Sequence, residues 1–531
     1  MPVATAQTVS LHGAVGHVID VQTDVSPGQV GTTLVGRPDA TLNEAKDRCR
    51  MAIVNSHLGW PATRRITILL SPADLLKSGT HFDLAIAVSV LAAAGEIRRE
   101  SLEATAFVGE LTLDGRLRCV PGVLPMVLAA SRRGVRRVFV PEPHAREAAM
   151  VPGVEVFGMR SLAQVVAELC GEEIPDAAPV VGMSGSRLLA WRGQDRVEDV
   201  DMADLVGLED VRFAVEVAAA GGHHLMLSGP KGCGKTSIAE RVPGILPDLE
   251  PEESLELTAI HSLAGALEPG DAMIVRPPFS APHHDASKAS LIGGGTGLVR
   301  PGEISRAHCG VLFLDEFALF RTDVLEALRQ PLESGEVTVA RRDESVVLPA
   351  RGMVVLACNP CPCGEYTARR RPGHEGCSCT ERQRRDYRRR VSGPFADRID
   401  ITRHVTDVRG GAVIDPFDRP ESTADVRVRV TRARDRQRVR YADDGWRLNA
   451  QAPGPVLLDR WPLEPSGQRA VDDQLYAGRL TRRGATRVHR LSWTVADLAG
   501  VDRPGPAEVD VALRLRAGEP LLLETLERRA G

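Results

Sequence analysis

The sequence predicts an α/β protein with a phosphate-binding parallel sheet at its centre, a mixed strand–helix region before it and a helical region after it. Three observations lead there. Gly229-Pro230-Lys231-Gly232-Cys233-Gly234-Lys235-Thr236 fits G-x-x-x-x-G-K-[ST], the loop whose backbone N–H groups cradle phosphates. Val311-Leu312-Phe313-Leu314 is an apolar run closed by Asp315-Glu316, the pattern of a buried parallel strand with two acids at its ligand-binding end. Beyond a break at Pro416–Ser422 the patterns turn helical, around Gln468–Ala499 and Ala507–Glu527.

Composition sets the outer bounds. The 531 residues are enough for about three to four domains. Apolar content of 43% and charged content of 26% are those of a soluble globular chain. The longest uncharged apolar run, Leu84 to Gly95, is too short to cross a bilayer and reads as a core helix. No N-terminal run resembles a signal peptide, so a cytoplasmic protein with no membrane partner is expected. A net charge of −4 leaves nucleic-acid binding to local patches. Lysine occurs only at Lys46, Lys77, Lys231, Lys235 and Lys288, two of them in the phosphate loop. Ten cysteines in such a chain point to thiols or metal rather than disulfides.

Residues 1–170 mix strands and helices, 171–200 read as a linker, 201–415 carry the nucleotide motifs and 416–531 the helical patterns. His224–Ser228 reads as a strand entering the phosphate loop and Ser237–Arg241 as the helix leaving it. Lys235 is placed to reach the β/γ-phosphates of a nucleotide and Thr236 to ligate Mg²⁺. Asp315 is suited to hold Mg²⁺ through water, and Glu316 to polarise the attacking water. The plainer reading of those acids is a strand ending in surface carboxylates. Met353–Cys358 is a third apolar strand, tipped by Asn359, which can sense the γ-phosphate or the lytic water. Arg398 lies between Asp397 and Asp400 in Ser392–Asp400. It is either a surface salt-bridge residue or a cation for the γ-phosphate of a neighbouring subunit.

Two clusters lie outside that centre. Cys361 and Cys363 are separated by thirteen residues from Cys377 and Cys379, a set able to hold Zn²⁺ tetrahedrally, with His374 as a spare ligand. The alternative is four reduced thiols in a loop. The same 358–380 loop and its continuation are arginine-rich (Arg369–Arg371, Arg382, Arg384-Arg385, Arg388–Arg390), either a solvated face or a contact for a polyanion. His283 and His284 follow Ala281-Pro282 as a pair open to structural, metal or nucleic-acid roles.

Taken in order, the phosphate loop, the apolar strand with Asp315-Glu316, the strand with Asn359 and Ser392–Arg398 resemble an AAA+ ATPase. Ala281–His284, Gly293–Gly295, Arg300–Ser305, Gly310–Glu316 and Leu328–Glu333 narrow the resemblance to the magnesium-chelatase-like AAA+ proteins of the YifB/ComM family, over nearly the whole chain. That resemblance implies ATP and Mg²⁺ as ligands and a homo-hexameric ring with ATP sites between subunits. It implies an insertion before Asp315 and a hairpin formed by Glu336–Ala340 and Ser345–Pro349. It also implies a lid arginine, which falls on Arg483, with Arg482 adjacent. Ser78–Leu84 and Gly109–Leu117 resemble the proteolytic domain of Lon, a ribosomal-protein-S5-like fold. The catalytic lysine of that family has no counterpart in Val123-Leu124-Pro125-Met126, so no Ser-Lys peptidase is expected.

The resemblance to ComM proteins implies an ATPase ring that moves DNA, as in branch migration during natural transformation. Aromatic residues make up only 4% of the chain, so contact through phosphates is expected over base stacking. The alternatives are a chelatase-like remodelling ATPase for metal insertion and an ATP-regulated scaffold. The Lon-like N-terminal region and the Cys loop speak against the chelatase, whose ATPase subunit resembles only the ATPase part.

Overall fold

The computed structural model describes residues 3–12, 15–180, 200–267, 271–295, 299–340, 345–366, 376–391, 396–405 and 421–522. Most of the expected linker, the tip of the 358–380 loop with Arg369–Arg371 and His374, residues 392–395 and the 416–420 break lie outside the described residues.

The N-terminal region is a sheet built from β1 (Ala4–His12), β2 (Val15–Ser26), β3 (Gly31–Val35), β4 (Arg65–Ser71), β5 (Thr105–Phe107), β8 (Arg137–Pro141) and β9 (Glu155–Met159). A small hairpin of β6 (Glu110–Leu111) and β7 (Leu117–Arg118) stands apart. The strand order is β3-β4-β2-β1-β5-β8-β9. Pairing is antiparallel for β1–β2 and β2–β4 and parallel for the rest. Alternation along β1 explains why both faces are covered. Ala4 and Ala6, with Ile19 and Val21 of β2, join the core under α1 (Ala45–Asn55) and α2 (Asp83–Ala94). Val9 and Leu11 face the other way, into the core of α3 (Val123–Arg132). Every residue from Asp83 to Ala92 is buried, as expected of the apolar run, and Gly95 ends that helix at φ +93°. A fourth helix, α4 (Leu162–Cys170), closes the region.

The central sheet comprises β10 (Leu225–Ser228), β11 (Phe279–Ser280), β14 (Val311–Leu314), β17 (Met353–Cys358) and β18 (Ile401–His404), in the order β11-β14-β17-β10-β18 and parallel throughout. β14 and β17 are buried along their whole length, each large apolar side chain contributing about 1.5–3 kcal/mol. Between β11 and β14 comes a two-stranded ribbon of β12 (Gly293–Gly294) and β13 (Arg300–Pro301). The expected hairpin is present as β15 (Glu336–Ala340) and β16 (Ser345–Pro349), paired antiparallel. Helices α5 (Glu209–Gly221) and α6 (Lys235–Ile245) pack on the sheet, α7 (Pro251–Ala264) packs against β13, and α8 (Glu381–Val391) against the turn Phe317–Leu319.

The C-terminal region supplies α9 (Thr423–Arg440), α10 (Pro465–Tyr476), α11 (Arg482–Ala499) and α12 (Pro506–Ala517). The helical pattern read over Gln468–Ala499 is two helices. Gly478 takes φ +67°, and Thr481 caps α11 by accepting from the Gly484 amide, so the chain turns between them. The pattern read to Glu527 ends as helix at Ala517, where Gly518 caps it at φ +75°. Helix α9 packs on α5 and α6, and the helical region shares one apolar core with the phosphate-loop strand. On the other side α3 packs against α7, and the Gly122 amide donates to the Ser262 carbonyl at 3.2 Å. Among the described residues no helix is long and apolar enough to cross a membrane.

Candidate active site

Parallel pairing brings the three motif strands to one sheet edge. Ser228 lies opposite Cys358, and Leu314 lies opposite Leu356. Gly229, Asp315 and Asn359 therefore emerge side by side, where an open α/β sheet binds its ligand. The loop needs its glycines. A Cβ on Gly229 would stand 2.3 Å from the Val405 carbonyl oxygen, and Gly234 sits at φ +85° just before α6. Cys233 is buried beside Gly229.

The side chains converge. Lys235 is buried and its Nζ donates to the carbonyls of Gly229 and Pro230, both at 2.8 Å, and to Asn359 Oδ1 at 3.1 Å. Thr236 Oγ1 donates to Asp315 Oδ2 at 3.0 Å. Asn359 Nδ2 donates to Glu316 Oε1 at 3.3 Å, and the Glu316 amide donates to Asp315 Oδ1 at 2.8 Å. Glu316 has φ +48°, a left-handed conformation that costs a non-glycine residue about 1–3 kcal/mol and is concentrated at functional sites. One chain of contacts thus links Lys235, Asn359, Glu316, Asp315 and Thr236.

Two expected residues stand outside that chain. Arg398 is mostly buried and pairs with Glu333 at 2.9 Å. Arg483 is exposed with Arg482 on the first turn of α11, and neither has a described contact with the phosphate loop. One turn further on, Arg487 ion-pairs with buried Asp400. Asp400 also accepts from the His224 amide at 2.9 Å and lies 3.8 Å from His223 Nδ1. Burial alone would raise its pKa; the adjacent His223 and the charge of Arg487 hold it well below the usual carboxylate range.

Motif reading missed three further contacts. The Lys231 stem lies over Gly364, where an added Cβ would come within 2.7 Å of its Cγ. Tyr387, buried on α8, is reached by the Asn359 backbone, and burial pushes its phenol pKa up. Arg390 of α8 donates to the Ala318 carbonyl at 3.4 Å. The only local signal was one tyrosine within a run of arginines. Cys361, Cys363, Cys377 and Cys379 gather with all four sulfurs within 4.8 Å of one another. His283, His284 and Asp285 form a second, more exposed group.

In the N-terminal region, Val123, Leu124 and Met126 are buried on the first turn of α3, and Lys77 Nζ donates to the Pro72 carbonyl. His81 Nε2 donates to the Val9 carbonyl at 2.8 Å, and buried Asp83 pairs with Arg48 at 2.9 Å. These polar groups serve the fold's own contacts.

Comparison with known proteins gives three family matches. Residues 201–413 match magnesium chelatase, subunit ChlI; residues 420–516 match its C-terminal part; and residues 21–144 match subunit ChlI of Mg-chelatase. The competence protein ComM of Haemophilus influenzae is 36% identical over 523 residues, covering 98% of this chain and 99% of that protein. The chain belongs to the YifB/ComM family of magnesium-chelatase-like proteins. The YifB protein of Escherichia coli is 37% identical over 526 residues, covering 98% of this chain and 99% of its own. An uncharacterized protein of Mycobacterium tuberculosis is 45% identical over 516 residues, covering 97% and 99%. The match at 21–144 removes the argument that the N-terminal region separates a YifB/ComM protein from the chelatase subunit, since a model described as that subunit covers it.

Membership of this family implies use of ATP and Mg²⁺, and the residues fit both. The loop glycines leave room for a phosphate chain, Lys235 offers an ammonium at its base, and Thr236 and Asp315 present two hard oxygen donors 3.0 Å apart.

Proposed function

We propose that this YifB/ComM protein is a cytoplasmic, ring-forming ATPase motor that acts on DNA. The observation that carries the reading is the linked set Lys235–Asn359–Glu316–Asp315–Thr236 at one sheet edge. Lys235 is positioned to exchange its carbonyl partners for phosphate oxygens, since an ammonium has donors only. Thr236 and Asp315 would hold Mg²⁺, which neutralises charge on the phosphates when bound. Glu316 takes the proton of the attacking water, and Asn359 fixes the carboxylate that does so. Arg398 supplies positive charge to the site of the next subunit once it leaves Glu333, and Arg483 does the same from the helical lid. The N-terminal region serves assembly or partner binding rather than proteolysis.

Two features support DNA as the partner. A relative of almost equal length is named a competence protein. Helix α8 exposes Arg382, Arg385, Arg388, Arg389 and Arg390 beside the site, a density of fixed cations suited to a phosphate backbone. The test is the ATPase rate with and without branched, single-stranded and double-stranded DNA, using Lys235→Ala as the blank. DNA should raise the rate, and rising salt should erase the increase. A rate indifferent to all three DNAs at low salt would sink this reading. ATP-dependent metal insertion into a porphyrin with a partner subunit would replace it with the chelatase one.

A further inference from the structure

We propose that Cys361, Cys363, Cys377 and Cys379 hold one structural Zn²⁺ ion, and that this site fastens the arginine helix α8 to the candidate active site. The sulfur positions come first. Cys361 and Cys363 lie 3.2 Å apart, and each lies 3.6 Å from Cys377. The Cys363 amide donates to Cys379 Sγ at 3.4 Å. Four thiolates around zinc at about 2.3 Å define a tetrahedron with edges of about 3.8 Å. The sulfurs are gathered on that scale. They are too far apart for disulfides, whose S–S bond is about 2.05 Å, and too close together to enclose a cluster of several metals.

The surrounding backbone is arranged for thiolates. Gly364 takes φ +86°, turning the chain so that its amide donates to the Cys361 carbonyl at 3.0 Å, while the Cys363 amide points at Cys379 Sγ. Binding releases the four thiol protons and leaves a net charge of −2 on the zinc-tetrathiolate group. Cations stand nearby: the guanidinium groups of Arg384 and Arg388 lie 4.9 and 5.3 Å from the ring centroid of Tyr366.

The connections give the site its consequence. Cys361 follows Asn359 by two residues, and Cys379 precedes α8 by two. Lys231 of the phosphate loop covers Gly364 within the knuckle, and Tyr387 of α8 meets the Asn359 backbone. One ion therefore fixes both ends of the segment joining Asn359 to the arginine helix.

The experiment is metal analysis of the full chain purified under reducing conditions, for wild type, Cys363→Ser, Cys379→Ser and Cys49→Ser. Wild type and the Cys49 control should carry about one zinc per chain, and the two cluster variants less than about 0.3. Wild type lacking zinc, carrying iron instead, or lighter by two hydrogens per cysteine pair in mass spectrometry would overturn the assignment. Should the variants fail to fold, Co²⁺ added to zinc-stripped wild type keeps the question open to an answer. Tetrathiolate ligand-field and charge-transfer bands are expected, and their absence counts against the site. A second consequence rests on the DNA role proposed above: loss of zinc should reduce DNA stimulation at least tenfold while basal hydrolysis persists. Zinc content is read without ATP or DNA, so failure of the metal site and failure of the motor are told apart.

Discussion

Lys235 spends its three ammonium protons on Gly229 O, Pro230 O and Asn359 Oδ1, and Asn359 spends its amide on Glu316. Binding and turnover are thereby assigned to different residues. Lys235→Ala should abolish nucleotide binding, seen as loss of fluorescent-ATP-analogue retention. Glu316→Gln keeps the carboxylate's shape and removes its basicity, so ATP should still bind while turnover falls by about 10²-fold or more. Asn359→Ala deletes its hydrogen bonds to Lys235 and Glu316; the one that steadies the Glu316 carboxylate is worth about 1.5 kcal/mol, so turnover should fall by about tenfold with binding little changed. Full turnover in Asn359→Ala would remove Asn359 from the chemistry and leave it a packing residue.

At the scale of elements, the buried Asp400 ties three pieces together: the entry to β10 through the His224 amide, β18 through its own place in the chain, and α11 through Arg487. Because its carboxyl is held well below the usual range, its stabilising contribution is present above pH of about 4 and is lost as pH falls further. Asp400→Asn leaves Arg487 without its partner and should cost about 3 kcal/mol in urea unfolding. A double-mutant cycle with Arg487→Gln should show strong coupling, and additive losses would disprove the tie. This contact also marks where sequence reading stops. The phosphate loop, the acid-tipped strand and Asn359 are local patterns, legible because their residues are neighbours in the chain, whereas the β15–β16 hairpin was expected only from the family resemblance. Asp400 and Arg487 are 87 positions apart, and Tyr387 meets Asn359, and Lys231 meets Gly364, only after folding. No periodicity encodes such meetings. The split between α10 and α11 was legible in principle, since Gly478 and Thr481 are ordinary helix-end residues, but a continuing apolar pattern masked it.

Over the whole molecule, burial of titratable groups gives an acid response. Burial lowers His81, His224 and His261 to about 4, and raises Asp83 to about 6. Between pH of about 6.5 and 4 the unfolded chain binds three histidine protons that the folded chain refuses, so stability falls as pH falls. Asp83 works in the opposite sense below about pH 6, because the folded state holds its proton. For these four groups, three less one leaves a net uptake of about two protons on unfolding near pH 5; His17 and His489, also lowered by burial, act in the same direction as the three histidines, and the sum is measurable from the pH dependence of urea midpoints. Assembly sets the last expectation. Arg398 and Glu316 would meet across a subunit boundary if the active site is composite, as heterologous ring packing allows. Arg398→Ala and Glu316→Gln should then each be inactive alone. In a random one-to-one mixture, about a quarter of boundaries pair an intact Glu316 from one variant with an intact Arg398 from the other. Mixing should therefore recover up to about a quarter of wild-type ATPase activity, peaking near equal proportions. Recovery at no ratio would place Arg398 permanently with Glu333 as a structural ion pair, and the cation for the transition state would have to come from elsewhere, with Arg483 next to be tested.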